Sequence, residues 1–228
     1  MKKILVLLLS GAIFLCACSP KGDHSSPSST PKPSKQSQAS SDSIEQDEKV
    51  YASTLDSLKK DTSEGRANLY AFYDIDGNGT KELLTGHYFK GQYYLAAIYY
   101  LNQGVSTYLA QSRVASAGGS REVTTIYTDG TVFYAQWHSL SPDAKGYLYQ
   151  LRSDNSGVDV LKEADFQIAG VDPNSESGQH TVFGTGSKKE LDLSSLKWKD
   201  IENYQATTSV GNQEKQSGSS KLDLEAIQ

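Results

Sequence analysis

The sequence predicts an α+β domain, with an N-terminal helix packed on a single antiparallel β-meander of about seven to eight strands. Three observations predict it. An apolar stripe at helical spacing (Tyr51, Leu55, Leu58) occurs early in the chain. From Asn68 the apolar period changes to two. Turn-forming residues then recur about every ten positions, too close for the crossovers that parallel strands need.

The helix is expected from about residue 44 to about residue 60. Ser43 and Gln46 have capping-box spacing, Glu45, Asp47 and Glu48 suit a helix N-terminus, and Lys59 and Lys60 suit its last turn. Strands follow in pairs. Leu69 to Asp74 and Lys81 to Phe89 flank Gly77-Asn78-Gly79. Lys90-Gly91 leads into Gln92 to Leu101, and Asn102-Gln103-Gly104 into Val105 to Ala110. Asp129-Gly130, a two-residue hairpin signal, joins Glu122 to Thr128 with Thr131 to His138. Asp154-Asn155-Ser156-Gly157 joins Tyr147 to Arg152 with Val158 to Lys162. A short final element should pack Leu191, Leu193, Leu196 and Trp198. Residues 44–204 then form one domain large enough for its own core, and 205–228 a polar, mostly disordered tail.

The chain opens differently. Lys2-Lys3 precedes a short apolar run from Ile4 to Leu15, the layout of a secretory signal peptide over residues 1–17. Residues 18–43 read as a tether. Ser19 to Ser43 holds ten Ser, four Pro and no aromatic or branched aliphatic residue, so nothing offsets the entropy of ordering it. As a flexible coil it would span roughly 25–30 Å. Formal charge is −5, and −7 without Lys2 and Lys3. With no basic tract, the chain lacks the electrostatic footprint of a nucleic-acid binder. Cys16 and Cys18 are the only cysteines. If the first leaves with the leader and the second carries lipid, no disulfide, Cys nucleophile or Cys-based zinc site is available.

Leu15-Cys16-Ala17-Cys18 resembles the lipobox of bacterial lipoproteins. The resemblance implies diacylglyceryl transfer to Cys18, cleavage before it, and a protein anchored by lipid on the extracellular face of the cell membrane. The Ser/Pro/Lys tether is similar to those of Gram-positive, streptococcal-type surface lipoproteins.

The strongest internal motif is Asp74-Ile75-Asp76-Gly77-Asn78-Gly79-Thr80-Lys81-Glu82, D-x-D-x-N-G-x-x-E. Oxygen donors at positions 1, 3 and 5, glycine at 6 and a carbonyl at 7 begin an EF-hand calcium loop. Position 12 is Thr85, so the bidentate Glu of an EF-hand is missing; Glu82 at position 9 can close the site instead. This shortened pattern, between strands, resembles the calcium loops of FG-GAP and VCBS-type repeats. The resemblance implies Asp74, Asp76, Asn78 and Glu82 as side-chain ligands, Thr80 as a carbonyl ligand, and a weak, structural calcium ion. The competing reading is a metal-free turn, since Asp and Asn close Asx turns unaided. Together with the Tyr-rich meander, Gly119-Ser120-Arg121 and Tyr127-Thr128-Asp129-Gly130-Thr131, the stretch from Phe72 to Leu84 resembles Firmicute surface lipoproteins over roughly residues 45–165.

Catalysis is not expected. His24, His87, His138 and His180 show no ligand spacing, no G-x-S-x-G elbow is present, and Gly184-Thr185-Gly186-Ser187-Lys188 lacks phosphate-loop spacing. Of the fourteen tyrosines, Tyr93, Tyr94, Tyr99, Tyr100 and Tyr108 crowd two strands, and consecutive pairs must point to opposite faces. An exposed tyrosine face would suit a glycan or protein ligand. The function expected is therefore a monomeric binding or adhesion module. The alternatives are an accessory structural or chaperone-like envelope lipoprotein, and a hydrolase of wall or host polymers.

Overall fold

The computed structural model describes residues 35–115 and 119–206. The chain divides after Lys35 into two units, and both sheets and the helices beyond Lys35 belong to the second. The expected leader 1–17, Cys18, residues 18–34 of the tether and residues 207–228 of the tail lie outside the described residues.

Two helices lead, α1 (Lys35–Val50) and α2 (Ala52–Lys60). The helix thus begins nine residues earlier than the capping pattern indicates, inside the expected tether, and Ser43 is not its cap. Pro33 is the last proline before it, and the Lys, Gln and Ala beyond that point are tolerated or favoured in helices. The break falls at Tyr51, whose φ of −100° and ψ of 15° leave the helical region. Hydrogen bonds bridge it: the Tyr51 N–H donates to Asp47 O (3.2 Å) and the Leu55 N–H to Tyr51 O (2.9 Å). The expected stripe faces inward. Tyr51 and Leu55 are buried and Leu58 half-buried against Tyr70, Leu83, Leu101, Ile201 and Tyr204.

The strands are β1 (Leu69–Tyr73), β2 (Glu82–Phe89), β3 (Gln92–Asn102), β4 (Val105–Gln111), β5 (Arg113–Val114), β6 (Ser120–Ile126), β7 (Thr131–His138), β8 (Asp143–Leu151), β9 (Val158–Gln167) and β10 (Lys199–Asp200). All eight expected strands are present, but the single sheet is not. There are two antiparallel five-stranded sheets, ordered β10-β1-β2-β3-β4 and β5-β6-β7-β8-β9. The meander order continues through both, and the division falls at Ser112, between β4 and β5. The Ser112 N–H donates to Ala96 O in β3 (2.8 Å), while its Oγ accepts from the Thr124 N–H in β6 (2.9 Å). One strand thus leaves the first sheet and enters the second at a bend, as corner strands do. Register shifts at Thr85/Gly86 and Ile98/Tyr99 add twist close to that corner.

Between the sheets lies a shared core, in which Ile75, Leu84, Leu95, Ile98 and Tyr100 meet Ile126, Val132 and Leu151. On the far face of the second sheet, Phe133, Ala135, Ala144, Leu148 and Phe166 are covered by Phe183 of the short helix α3 (Gln179–Phe183). Gly146 lies beneath Phe183: a Cβ there would come within 2.6 Å of its ring. The chain then returns to the first sheet. Leu191, Leu193, Leu196 and Trp198 pack against the shared core as the sequence indicates, and β10 adds to the β1 edge. Among the described residues, no helix is long and apolar enough to cross a membrane.

Leu55 is fully buried in the contact between α2 and the first sheet. Leu55→Ala should destabilise the protein by about 2–5 kcal/mol, the usual result of deleting a packed leucine. Urea unfolding of the full chain should show this as a lower midpoint at unchanged slope.

Candidate metal centre

β1 ends at Tyr73 and β2 begins at Glu82, so the acidic motif forms the connection between two paired strands. Tyr73 is registered opposite Glu82, which fixes the two ends of the loop. Gly77 and Gly79 have φ of 76° and 89°, left-handed values that glycine adopts without the Cβ penalty. Those bends turn the backbone N–H groups onto Asp74. Its Oδ1 accepts from the Gly77 and Asn78 N–H groups (2.9 and 3.1 Å), and its Oδ2 from the Gly79 N–H (2.9 Å). Asp76 Oδ1 accepts from the Asn78 N–H (3.1 Å), and its Oδ2 from Asn78 Nδ2 (3.0 Å). Asn78 Oδ1 accepts from the Thr80 N–H (2.6 Å).

Glu82 differs from the other acids. It is fully buried, and Oε2 accepts from the Ile75 N–H (2.7 Å). Its Oε1 is buried with no hydrogen-bond partner, the only such side-chain atom among the described residues. One carboxylate oxygen from each of Asp74, Asp76 and Glu82 lies within 4.8 Å of the other two. Burial, reinforced by the charges of Asp76 and Asp74, pushes the Glu82 carboxyl up to about 8 from its ordinary 4.5. Burial, with Asp74 beside it, raises Asp76 as well. A carboxylate taken out of water beside two others is costly unless a proton or a cation neutralises it. The donors are all oxygens, the set that suits a hard cation such as Ca²⁺ rather than a thiolate- or imidazole-seeking metal.

The structure therefore brings Asp74, Asp76 and Glu82 together. Asn78 and Thr80 stand in the same loop, with Asn78 Oδ1 now held by the Thr80 N–H. Two residues that the motif did not include also belong here. Asn155, in the turn between β8 and β9, accepts from Asn78 Nδ2 at Oδ1 (3.2 Å) and donates from Nδ2 to Thr80 Oγ1 (3.2 Å). Gly130, in the turn between β6 and β7, lies so close that a Cβ would come within 3.1 Å of Ile75 O. No local signal announces either contact. The sequence shows only that both residues sit in turns.

Elsewhere, Glu122 accepts from Tyr134 OH (2.7 Å) and from Gln111 Nε2 (2.6 Å) at the sheet corner. Beside it, a cleft of about 880 Å³ runs between the end of α2, the helix-side face of the first sheet and the corner strand. Asp61, Arg66, His87, Tyr94, Tyr99 and Glu122 line it. The paired tyrosines do point to opposite faces: Tyr100 enters the shared core while Tyr99 packs edge-on against Tyr108, and Tyr93 stacks on Trp198 while Tyr94 is exposed. Among the described residues no histidine hydrogen-bonds a carboxylate; His180 meets Thr185 Oγ1 (3.0 Å), and His138 Nδ1 accepts from the Leu140 N–H (3.4 Å).

Comparison of the chain with protein-family models, with curated proteins and with solved structures finds no match.

The raised Glu82 carboxyl makes the cation-free protein sensitive to pH with a definite sign. Its stabilising protonated form is fully available below about 4.5 and is lost as pH rises through about 8. In chelator, Glu82→Gln should therefore gain stability over the wild type as pH rises from 4.5 to 8. Melting curves across that range test this, and a stability difference between variant and wild type that does not move in the variant's favour as pH rises would contradict it.

Proposed function

We propose that this chain is an exported lipoprotein, held by diacylglyceryl Cys18 on the extracellular face of a Gram-positive membrane, whose domain is a binding module with a structural calcium ion in the Asp74–Glu82 loop. The lipobox-like sequence and the Ser/Pro-rich stretch after it support the anchor and the address. The observation that carries the metal reading is Glu82, fully buried with Oε1 unpartnered, one of whose carboxylate oxygens lies within 4.8 Å of oxygens of Asp74 and Asp76. Asp74, Asp76 and Glu82 supply charge, with Asn78 Oδ1 and the Thr80 carbonyl completing five protein ligands. Bound there, calcium supplies charge neutralisation and holds the hairpin; the chain's own residues position the oxygens and keep water away from Glu82. Five ligands leave room for water, consistent with the 10⁻⁴–10⁻³ M affinity of extracellular modules.

The ligand face is the cleft beside Glu122. It offers aromatic edges (Tyr94, Tyr99), an imidazole donor or acceptor (His87) and charges of both signs (Arg66, Glu122), a mixture that suits a glycan or an extended protein segment. Burial holds His87 below its ordinary titration range, which favours the uncharged ring there.

Thermal unfolding of the full chain in 10 mM calcium and in chelator tests the metal reading. At the affinity given above, 10 mM is a tenfold to hundredfold excess over Kd, for which ligand linkage gives about 1.4–2.7 kcal/mol. For a domain of this size that is a rise of about 3–10 °C, abolished in Asp76→Ala. Equal midpoints in the two conditions would overturn it.

A further inference from the structure

Asn155 stands 73 residues beyond Glu82 in sequence and on the other sheet, yet it is bonded to the acidic loop through both ends of its side chain. Its backbone is engaged as well. The Asn155 N–H donates to Arg152 O (2.9 Å), and its carbonyl accepts from the Gln103 N–H (2.7 Å) in the turn between β3 and β4. Three hairpin connections, 74–81, 103–104 and 152–157, therefore meet on one residue. Its φ of 55° is a left-handed value that asparagine tolerates better than most side chains.

The contact with Asn78 has a chemical consequence. One Nδ2 donates to both Asp76 Oδ2 and Asn155 Oδ1, so both amide hydrogens of Asn78 are committed. That fixes which way the amide faces, so that Oδ1, which accepts from the Thr80 N–H (2.6 Å), keeps its second lone pair for a hard cation. The bond to Thr80 Oγ1 fixes the neighbouring residue whose carbonyl is the remaining expected donor. Outer partners that orient metal ligands in this way typically govern affinity about 10–100-fold.

We propose that Asn155 is a positioning residue of the cation site, so that calcium binding in the first sheet and docking of the β8–β9 turn of the second are coupled. This presupposes a cation at the Asp74–Glu82 loop. Because the turn must be docked for Asn78 and Thr80 to be set, calcium in turn holds the turn in place, and the ion ties the two sheets together at this end of the molecule.

The test is a calcium titration of the full chain followed by amide NMR shifts, with Asn155→Gly and Asn155→Asp beside the wild type. Glycine keeps the left-handed backbone and removes both side-chain bonds; it should weaken calcium binding about tenfold or more. Aspartate keeps the acceptor for Asn78 and exchanges the donor to Thr80 for an acceptor of its hydroxyl, so it should bind calcium more tightly than the glycine variant. A purely structural role would lower the melting midpoint equally in calcium and in chelator. A positioning role lowers the gain that calcium brings. Hydrogen exchange of the wild type adds a readout that needs no variant: amides of residues 152–157 and Gln103 should exchange more slowly in calcium. Wild-type affinity in Asn155→Gly, or unchanged exchange at 152–157 while calcium binds, overturns the assignment of Asn155 and leaves the calcium reading standing. No calcium-dependent shift in the wild type overturns both.

Discussion

A carboxyl group removed from bulk solvent sets the terms at the end of the molecule where the two sheets meet. Glu82 opens β2, is fully buried, and has one oxygen held by the Ile75 N–H and the other held by nothing. Ile75, which it grips, is itself a member of the core that the two sheets share. The loop that Glu82 closes carries Ile75 into the shared core and receives the Gly130 and Asn155 turns. A proton neutralises Glu82 at neutral pH, since the carboxyl is raised to about 8, and is lost as pH rises through that value. A divalent cation does so while also satisfying the lone pairs of Asp74 and Asp76.

The layers around this point arise from elementary packing. An apolar helix stripe needs one sheet face, and the opposite face of that sheet needs another sheet. The second sheet then has an outer face of its own, which Phe183 and its neighbours cover. The corner at Ser112 allows one continuous meander to fold back on itself. Its hydroxyl and N–H divide between the two sheets, so neither is left with an orphaned edge there. At the other end of the first sheet, Glu48 of α1 accepts from Tyr70 OH (2.7 Å) and pairs with Lys199 of β10, which keeps the late-returning edge strand and the leading helix in register.

Much of this was legible in the sequence, and the misses share a cause. Eight strands could be read because each carries alternation and ends in a turn residue that needs a particular φ. Asp129-Gly130 and Lys90-Gly91 are instances, with positive φ at Gly130, Lys90 and Gly91. The two-residue strands β5 and β10 are too short to alternate and exist only because a neighbour offers an edge. The split into two sheets is decided by a bend at one serine, which no period reports. Helix α1 starts early because nothing after Pro33 forbids it, whereas a capping pattern marks where a helix can start and not where it must. The same holds for the site. Asp74, Asp76 and Glu82 converge as their spacing implies, since a short loop forces them together. Asn155 joins them through tertiary contact across more than seventy residues.

The most direct test is a crystal structure of the protein grown in saturating calcium, with anomalous data to identify the ion. A loop neutralised by calcium should show an ion bonded to Glu82 Oε1, Asp74 and Asp76 at about 2.3–2.6 Å, with Asn155 still bonded to Asn78 and Thr80. No ion there at saturating calcium, with a proton or a water molecule as the only partner of Glu82 Oε1, would contradict it.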